Sequence, residues 1–297
     1  MMGCEWGGMM KLGYACINMS MPSKFRTCRL RTVEEQGLEK VKEIAVHNLA
    51  EVIRVLKWNI AHEIYFFRMS SDLIPFASHP VMTWDWQRDA DIMALTAEIS
   101  RLRELHGMRL SMHPGQYTII NSPRVDVVEK AIADLSYHQQ LLDLVGGTDM
   151  ILHIGGAYGD KKTASERFIR AYNGLPNDIK RLLRLENDDK TYTATDVLGI
   201  AKATGATVCF DIHHHICNHE PDADVAQIVT DVFKTWETTP KMHISSGKTG
   251  ATDRSHHDLI HLEDFQRLMG LLDGRDVDIM FEAKRKEQSV LALREKL

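Results

Sequence analysis

The chain has 297 residues, a formal net charge of −5 and 44% hydrophobic residues, an ordinary composition for one globular protein. The slightly acidic balance excludes a protein that is basic over its whole surface, so nucleic-acid binding would need a local patch. Five cysteines without CxxC spacing argue against a disulfide framework and a thiolate zinc site, and no apolar run is long enough to span a membrane. We therefore expect a cytoplasmic protein.

Strand-like and helix-like patterns alternate eight times along the chain. Such regular alternation indicates parallel strands joined by right-handed crossovers, and eight units favour closure into a barrel. We predict an α/β protein with one (β/α)8 TIM-barrel domain over residues 11–297. The segment of residues 1–10 is short and glycine-rich, unlike a signal peptide, and is predicted to be a disordered extension or to reflect an alternative start. Strands are predicted at 11–17, 62–69, 108–113, 149–154, 181–187, 206–212, 240–245 and 277–282, and helices at 33–57, 88–106, 124–145, 162–175, 194–203, 222–236, 262–272 and 286–295.

Histidines concentrate where the predicted strands end. Eleven of the 15 lie at or just after the carboxyl end of a strand, which is the functional rim of a TIM barrel. The bias therefore predicts a site at that rim, since random placement would spread histidines over both ends. These residues are His79, His113, His153, His213, His214, His215, His219, His243, His256, His257 and His261.

Six strands end in a histidine or a carboxylate. A barrel would bring these side chains together, and three carboxylates with three imidazoles would be buried at high cost unless cations lay among them. Nitrogen and oxygen donors together suit zinc, manganese or iron, whereas magnesium prefers oxygen alone. Singly, each residue would be interpreted as a salt bridge or a core histidine. Together they predict a multinuclear metal site made of His113, His153, Glu186, Asp211, His243 and Glu282.

Two positions near this set leave alternatives open. Asp211 precedes three histidines, and strand alternation alone does not choose among His213, His214 and His215. Lys241 lies two residues before His243 and therefore faces the same side of its strand. It is neutral, paired with a carboxylate, carbamylated into an anionic ligand, or a plain structural lysine.

Two loops carry residue types that suit DNA. The segment SSGKTGATDRSHHD combines small residues with Lys248 and Arg254, so its backbone and cations can contact phosphate. The segment HPGQYTIINSP presents Gln116 and Tyr117, which are able to wedge into a base stack. The alternative for each is an ordinary mobile loop.

The motifs taken in order resemble the UV damage endonuclease family, metal-dependent DNA-repair nucleases on a TIM barrel related to endonuclease IV. The resemblance runs from Lys11 to about Arg294. It is carried by GYACINMS, FRMSSDLIPFASHP, SMHPGQYTIINSP, LHIGGAYGDK, RLENDD, FDIHHH, KMHISSGK, SHHDLI and FEAKRKE.

The resemblance implies a monomeric enzyme, associated with the nucleoid, that nicks UV-damaged double-stranded DNA immediately 5′ to cyclobutane dimers and 6-4 photoproducts. The expected ends are a 3′-hydroxyl and a 5′-phosphate. It also implies three divalent ions, with manganese expected first and zinc, magnesium or cobalt as alternatives. The implied metal ligands are His79, His113, His153, Glu186, Asp211, His214, His243, His256 and Glu282.

The resemblance also assigns roles to residues outside the ligand set. Lys241 matches the family's modified lysine and is placed in catalysis with Glu186, Glu282 and Tyr14. Gln116 and Tyr117 match the pair that probes damaged bases, and Asn18, like Tyr14, matches a residue near the scissile bond. We therefore assign Gln116, Tyr117, Asn18, Lys248 and Arg254 to DNA binding.

Three other functions fit parts of the pattern. An apurinic endonuclease of the endonuclease IV type would share the barrel and the metals but would cut at abasic sites. A sugar isomerase on a similar barrel would hold two ions and form a ketose. A non-catalytic metal-storing or DNA-binding module would load metal and show no turnover. Incision of UV-irradiated plasmid, compared with incision of plasmid that carries abasic sites, separates a UV damage endonuclease from an apurinic endonuclease. Metal-dependent nicking of plasmid excludes the isomerase and the non-catalytic module.

Overall fold

A computed structural model of the chain describes residues 10–22 and 24–297, so the extension predicted for residues 1–10 lies almost entirely outside the described residues. Eight parallel strands follow one another in chain order in a closed barrel, which confirms the predicted TIM-barrel fold. Each observed strand lies inside the segment predicted for it. The strands are β1 (Leu12–Ala15), β2 (Phe66–Arg68), β3 (Arg109–Met112), β4 (Asp149–His153), β5 (Leu183–Glu186), β6 (Thr207–Asp211), β7 (Lys241–Ile244) and β8 (Asp278–Phe281).

Helices connect the strands. None of those in the described part of the chain combines the length and the apolar character needed to cross a bilayer. A single 3-10 turn at Trp86–Arg88 precedes the third helix. The helices are α1 (Leu30–Gln36), α2 (Leu38–Ala61), α3 (Ala90–Leu105), α4 (Val125–Val145), α5 (Lys161–Asn173), α6 (Asn177–Lys180), α7 (Ala194–Thr204), α8 (Ile212–Cys217), α9 (Val225–Phe233), α10 (Leu262–Leu272) and α11 (Glu287–Arg294).

The helices differ from the predictions in two ways. The single helix predicted over 33–57 is two helices, because Gly37 has a φ of +72° and its N–H ends α1 by donating to the Val33 carbonyl. Glycine takes this left-handed conformation without the steric penalty of other residues. The short helices α6 and α8 were not predicted, since four to six residues are too few for a periodic pattern.

The described residues form two compact units. The first consists of the residues up to Ala15 together with Arg184–Leu297, and the second is Cys16–Leu183. The assignment of residues 11–297 to one domain stays a prediction.

In the first unit, β6, β7 and β8 are paired in parallel, and β8 also pairs with β1. Asp211 is opposite His243, Ile244 is opposite Phe281, and these pairs bring the carboxyl ends of three strands into line. The strands are buried along their length, with Val208, Phe210, Met242, Ile279 and Met280 in the core. Near-continuous apolar runs of this kind are typical of parallel strands covered on both faces.

In the second unit, β2 pairs with β3 and β3 with β4. Here Ser111 is opposite Asp149, and Met112 is opposite Met150. A buried ion pair ties the amino ends of two strands together, because Arg109 donates to both carboxylate oxygens of Asp149 at 2.7 and 3.1 Å. This bidentate geometry is the strongest form of such a pair.

Candidate metal centre

Three carboxylates of the first unit stand at the carboxyl ends of its strands. Glu186 is the last residue of β5, Asp211 is the last residue of β6, and Glu282 directly follows β8. Glu186 and Asp211 are buried, and Glu282 is mostly so. Carboxylates that share one site disfavour each other's charged form unless positive charge lies between them.

His243 stands between two of these carboxylates. It is fully buried in β7, and its Nδ1 lies 2.6 Å from Glu186 Oε1 and 3.3 Å from Glu282 Oε1. One ligand atom from each of these three residues lies within 4.8 Å of the others, and the same holds for Glu186, Asp211 and His214. Glu186 belongs to both groups and is the carboxylate that they share.

Asp211 uses its two carboxylate oxygens differently. Oδ1 accepts a hydrogen bond of 2.8 Å from the N–H of His214 and thereby caps the start of α8. Oδ2 is buried and accepts no hydrogen bond from the residues that the structure describes. A buried carboxylate oxygen in this condition is costly, and a cation would satisfy it. The donor set therefore fits a bound metal ion.

Two histidines of this unit have their imidazole orientation set by backbone carbonyls. His214 Nδ1 lies 2.9 Å from the Asn187 carbonyl, and His256 Nδ1 lies 2.7 Å from the Glu282 carbonyl. Because a carbonyl only accepts, Nδ1 is the donor in both rings, so Nε2 is the ring atom that can bind a ligand when the imidazole is neutral. Metal-binding histidines are commonly fixed in this way.

The electrostatic field at His214 is strongly negative. Burial disfavours the charged imidazole, but the carboxylates of Asp211, Glu186 and Glu282 outweigh burial and raise the pKa of His214 to about 10. The same field would favour any cation at this position.

The other two histidines of the run pack elsewhere. His213 is buried, and its Nε2 lies 3.8 Å from the Cys217 sulfur. His215 packs against Phe210 with ring centroids 5.5 Å apart. Burial lowers the pKa of both imidazoles. Of the three, the structure brings only His214 close to two carboxylates in the described part of the chain.

The second unit brings two candidate ligands together. His113 directly follows β3 and His153 ends β4, and their ring centroids are 5.1 Å apart. His113 Nδ1 donates to the Pro114 carbonyl at 2.9 Å, so Nε2 is again the ring atom that can bind a ligand when the imidazole is neutral. The Ser71 hydroxyl fixes the same turn by donating to the His113 carbonyl at 2.6 Å.

His79 is arranged differently from the other candidate ligands. It is exposed, and its Nδ1 accepts a hydrogen bond of 3.1 Å from the N–H of Val81, which places the proton of the neutral ring on Nε2. Among described residues, no trio of mutually close potential ligands includes His79 or His256. Both stay predictions from the resemblance.

Lys241 and Tyr14 are fully buried in the first unit. Lys241 begins β7, opposite Asp278, and its side chain shares a side of the strand with His243. Tyr14 lies in β1, opposite Phe281. Their catalytic roles stay predictions.

The predicted lesion-probing pair lies on an exposed turn of the second unit. Gln116 is exposed, and the Tyr117 side chain is 83% accessible. The turn is closed by the Thr118 N–H donating to the Gly115 carbonyl, while the Thr118 hydroxyl donates to Asp134 at 2.6 Å. An exposed aromatic residue on a braced turn is suited to insert into a base stack.

Asn18, also predicted to contact DNA, is buried, and its contact with DNA stays a prediction. Its Oδ1 accepts hydrogen bonds from the N–H groups of Ser20 and Met21 at 3.0 and 3.2 Å. It therefore organises the turn after β1.

Cations gather on the loops that follow β7 and β8. Lys248 and Arg254, predicted to contact DNA, are exposed, and Arg254 Nε lies 3.6 Å from Asp189. Lys284 and Arg285 are also exposed, and their backbone N–H groups donate to the carbonyls of residues 257 and 258. The sequence analysis missed this second pair, although the run KRK after a strand was a visible signal.

Asn187 is a second residue that the sequence analysis missed. Its side chain exchanges two hydrogen bonds of 2.9 Å with the backbone of Asp211, and its carbonyl accepts from His214 Nδ1. It thus positions two candidate ligands at once. The motif RLENDD contains it, but an asparagine after a strand is usually interpreted as a turn residue.

Comparison with known proteins gives concordant results. The family model of UV-endonuclease UvdE matches residues 10–297. A UV DNA damage endonuclease of Bacillus pumilus (strain SAFR-032) is 40% identical over 272 residues, which cover 89% of this chain and 84% of that protein. The crystal structure of SacUVDE superposes with a TM-score of 0.89 at 35% identity, covering 97% of this chain and 98% of that one.

A more distant likeness concerns the fold alone. Endonuclease IV from Thermus thermophilus has a TM-score of 0.58 at 19% identity, with 82% of this chain and 93% of that chain covered.

Proposed function

The chain belongs to the UV-endonuclease UvdE family and is a nuclease of UV-damage repair, and from this premise we propose that it nicks DNA immediately 5′ to cyclobutane dimers and 6-4 photoproducts. The products are a 3′-hydroxyl and a 5′-phosphate. The observation that carries the proposal is the group of Glu186, His243 and Glu282, whose ligand atoms lie within 4.8 Å of one another at the ends of three strands.

The proposed cofactor is three divalent ions, manganese in the first place. When bound, such ions neutralise phosphate charge and activate water. Two observations support this choice: the buried Oδ2 of Asp211 accepts no hydrogen bond from the described residues, and backbone carbonyls fix Nδ1 as the donor in His113, His214 and His256. The residues proposed to hold the ions are His79, His113, His153, Glu186, Asp211, His214, His243, His256 and Glu282.

The protein's own residues orient this centre. Glu186 receives the Nδ1–H of His243 and is shared by both groups of candidate ligands in the first unit. Asn187 holds the end of β6, so that Asp211 and His214 keep their positions during the reaction. We propose that Lys241, buried two residues before His243, carries a carbamate and adds a further anionic ligand, which the intact mass of the native protein would reveal as one added carbon dioxide.

The DNA is proposed to be held by two surfaces. Lys248, Arg254, Lys284 and Arg285 supply exposed positive charge for the phosphate backbone, a contact that does not depend on sequence. Gln116 and Tyr117 are proposed to enter the stack at the lesion. A photodimer already weakens local stacking, so kinking damaged DNA needs less energy than kinking intact DNA.

The decisive experiment uses three duplexes that differ only at one position: a thymine dimer, an abasic site and intact thymines. We expect metal-dependent incision of the dimer duplex at its 5′ side, mapped on a sequencing gel, and loss of incision when a chelator removes the metal. Cutting confined to the abasic duplex would assign the chain to the apurinic endonucleases instead. No cutting of any duplex by the manganese-loaded protein would overturn the proposal.

A further inference from the structure

The loop between β4 and α5 holds a tyrosine in an unusual conformation. Tyr158 has a φ of +50°, a left-handed value that side chains with a Cβ rarely adopt. The residue is 47% exposed, so core packing does not explain why the conformation is kept. Strain that is held in place by its surroundings, outside the core, is a pointer to function.

Glycines on both sides of Tyr158 build this loop. Gly155 has a φ of +105°, and a Cβ on it would lie 2.5 Å from Asn121 Oδ1. A Cβ on Gly156 would come within 3.2 Å of the Tyr158 ring, so the ring lies directly against this glycine. Gly159 also has a positive φ, of +83°. The chain is thus shaped to present one exposed aromatic ring.

Arg167 of α5 holds the ring from a second side. Its guanidinium carbon lies 5.4 Å from the Tyr158 ring centroid, a cation–π contact. The Arg167 Nε donates to the Asn121 carbonyl at 2.9 Å, and its buried Nη2 donates to no residue that the structure describes. The ring contact and the carbonyl therefore fix the guanidinium without a carboxylate partner in this part of the chain.

Asn121 joins the Tyr158 loop to the loop that carries Gln116 and Tyr117. Its Nδ2 donates to the Gly156 carbonyl at 2.8 Å, and Ile119 of the same loop packs where a Cβ of Gly155 would be. Tyr117 and Tyr158 are thus presented by two loops that are packed on each other, each following the carboxyl end of a strand.

Resting on the proposed function, we propose that Tyr158 is a second aromatic contact with DNA, stacking on a nucleobase or deoxyribose of the bound duplex outside the lesion, and that Arg167 is its positioning residue. An aromatic face binds any base, so the contact is independent of sequence and of damage. In this respect it differs from the Gln116–Tyr117 pair, whose role is confined to the lesion.

The test measures DNA affinity by fluorescence anisotropy in a Glu282→Gln background, which should leave the DNA uncut, with duplexes that carry a thymine dimer or intact thymines. Tyr158→Ala should weaken binding of both duplexes by the same factor, roughly 5- to 100-fold, as expected for the loss of one stacked base. Tyr158→Phe should stay within about twofold, because the ring and not the hydroxyl makes the contact.

Two further variants complete the test. Arg167→Met should weaken DNA binding when residue 158 is tyrosine and have no effect when residue 158 is alanine. If Arg167 were merely structural, the substitution would weaken binding in both backgrounds. Leu105→Ala is the control, since Leu105 is 66% exposed at the end of α3, before β3 begins.

Three results would overturn the inference: unchanged affinity of Tyr158→Ala, a loss confined to the dimer duplex, or an equal loss in Tyr158→Phe. Incision of the dimer duplex by the wild-type protein, measured in parallel, separates this outcome from a failure of the proposed function. If incision stands while Tyr158→Ala binds normally, only the role of Tyr158 is rejected.

Discussion

The nicking activity of the proposed centre should depend on single side chains, most strongly on its carboxylates. Replacing Glu186 or Glu282 by glutamine keeps the shape and removes the charge that would hold a cation. We expect each variant to lose more than about 100-fold in nicking rate, since changes one layer further out already cost 10- to 100-fold. The measurement is single-turnover incision of a dimer duplex, with circular dichroism to check the fold.

Glu98→Gln is a matched control, because Glu98 is a surface carboxylate paired with Arg101 on α3. It should cut at the wild-type rate. Near-normal rates in both glutamine variants of the centre would contradict their assignment.

Asn187 allows a test of positioning without touching a ligand. Asn187→Ala removes both side-chain hydrogen bonds to the backbone of Asp211. We expect manganese affinity to fall by about 10- to 100-fold, which is typical for residues that orient ligands. Competition with a fluorescent chelator measures the affinity, and the exposed Asn173→Ala serves as the control. Unchanged affinity would show that the ends of β5 and β6 hold their positions without this amide.

At the scale of whole elements, the strands could be predicted well and the shortest helices could not. Buried parallel strands appear as apolar runs that end in a polar residue, so all eight were visible. The helix α8 has six residues, too few for a period, and its start depends on the side chain of Asp211. Because this helical turn was not predicted, His214 could not be selected from the three histidines. In a helix, residues three positions apart lie on the same face, so His214 comes close to Asp211.

The exposed turn with Gln116 and Tyr117 carries a prediction about selectivity. Replacing both residues by alanine should reduce the preference for the dimer duplex more than it reduces affinity for intact DNA. The reason is that insertion of these side chains adds to affinity only where the base stack opens at a lesion, whereas phosphate contacts add to affinity on damaged and intact DNA alike. Binding constants for both duplexes at one salt concentration give the ratio, and an equal loss on both would speak against a role in probing.

The pairing of β3 with β4 includes a stability determinant far from the chemistry. Asp149→Ala leaves the buried guanidinium of Arg109 without its bidentate partner. Removing one member of a buried pair typically costs about 3–5 kcal/mol. Urea denaturation should show this loss of unfolding free energy.

The exposed pair of Arg31 and Glu35 is the comparison, and its removal by Glu35→Ala should cost less than about 1 kcal/mol. A similar, small cost for Asp149→Ala would mean that the Arg109 pair is not structural.

For the molecule as a whole, the metal centre should link folding to metal concentration. The carboxylates and imidazoles of the centre are held together only in the folded chain, so ions that bind there stabilise it by mass action. At a free manganese concentration about 100 times the dissociation constant, the gain is about 2.7 kcal/mol per ion. Thermal unfolding with manganese and with a chelator measures this gain in stability. An unfolding midpoint that does not change with manganese concentration would contradict metal binding at this site.

The overall fold and the candidate ligands at the strand ends could be predicted from pattern alone, since both depend on periodicity and on where a polar residue ends an apolar run; that these residues bind metal stays a prediction. What escaped prediction depends on which backbone group a side chain reaches in three dimensions. Asn187, the buried Asn18 and the backbone bond to His79 are all of this kind. None changes the pattern of the sequence, because a polar residue near a strand end looks the same whichever partner it finds.

The two carboxylate oxygens of Asp211 have different roles, and this limits which substitutions the position can accept. One oxygen begins a helix and the other is buried in the candidate metal site, so both depend on the length of a single short side chain. Aspartate-to-glutamate exchange, normally the mildest change of a metal ligand, would here displace the first turn of α8 and with it His214. Glu282 differs in this respect, because its backbone carbonyl accepts from His256 and its carboxylate lies beside His243, so the two contacts do not depend on one side-chain length.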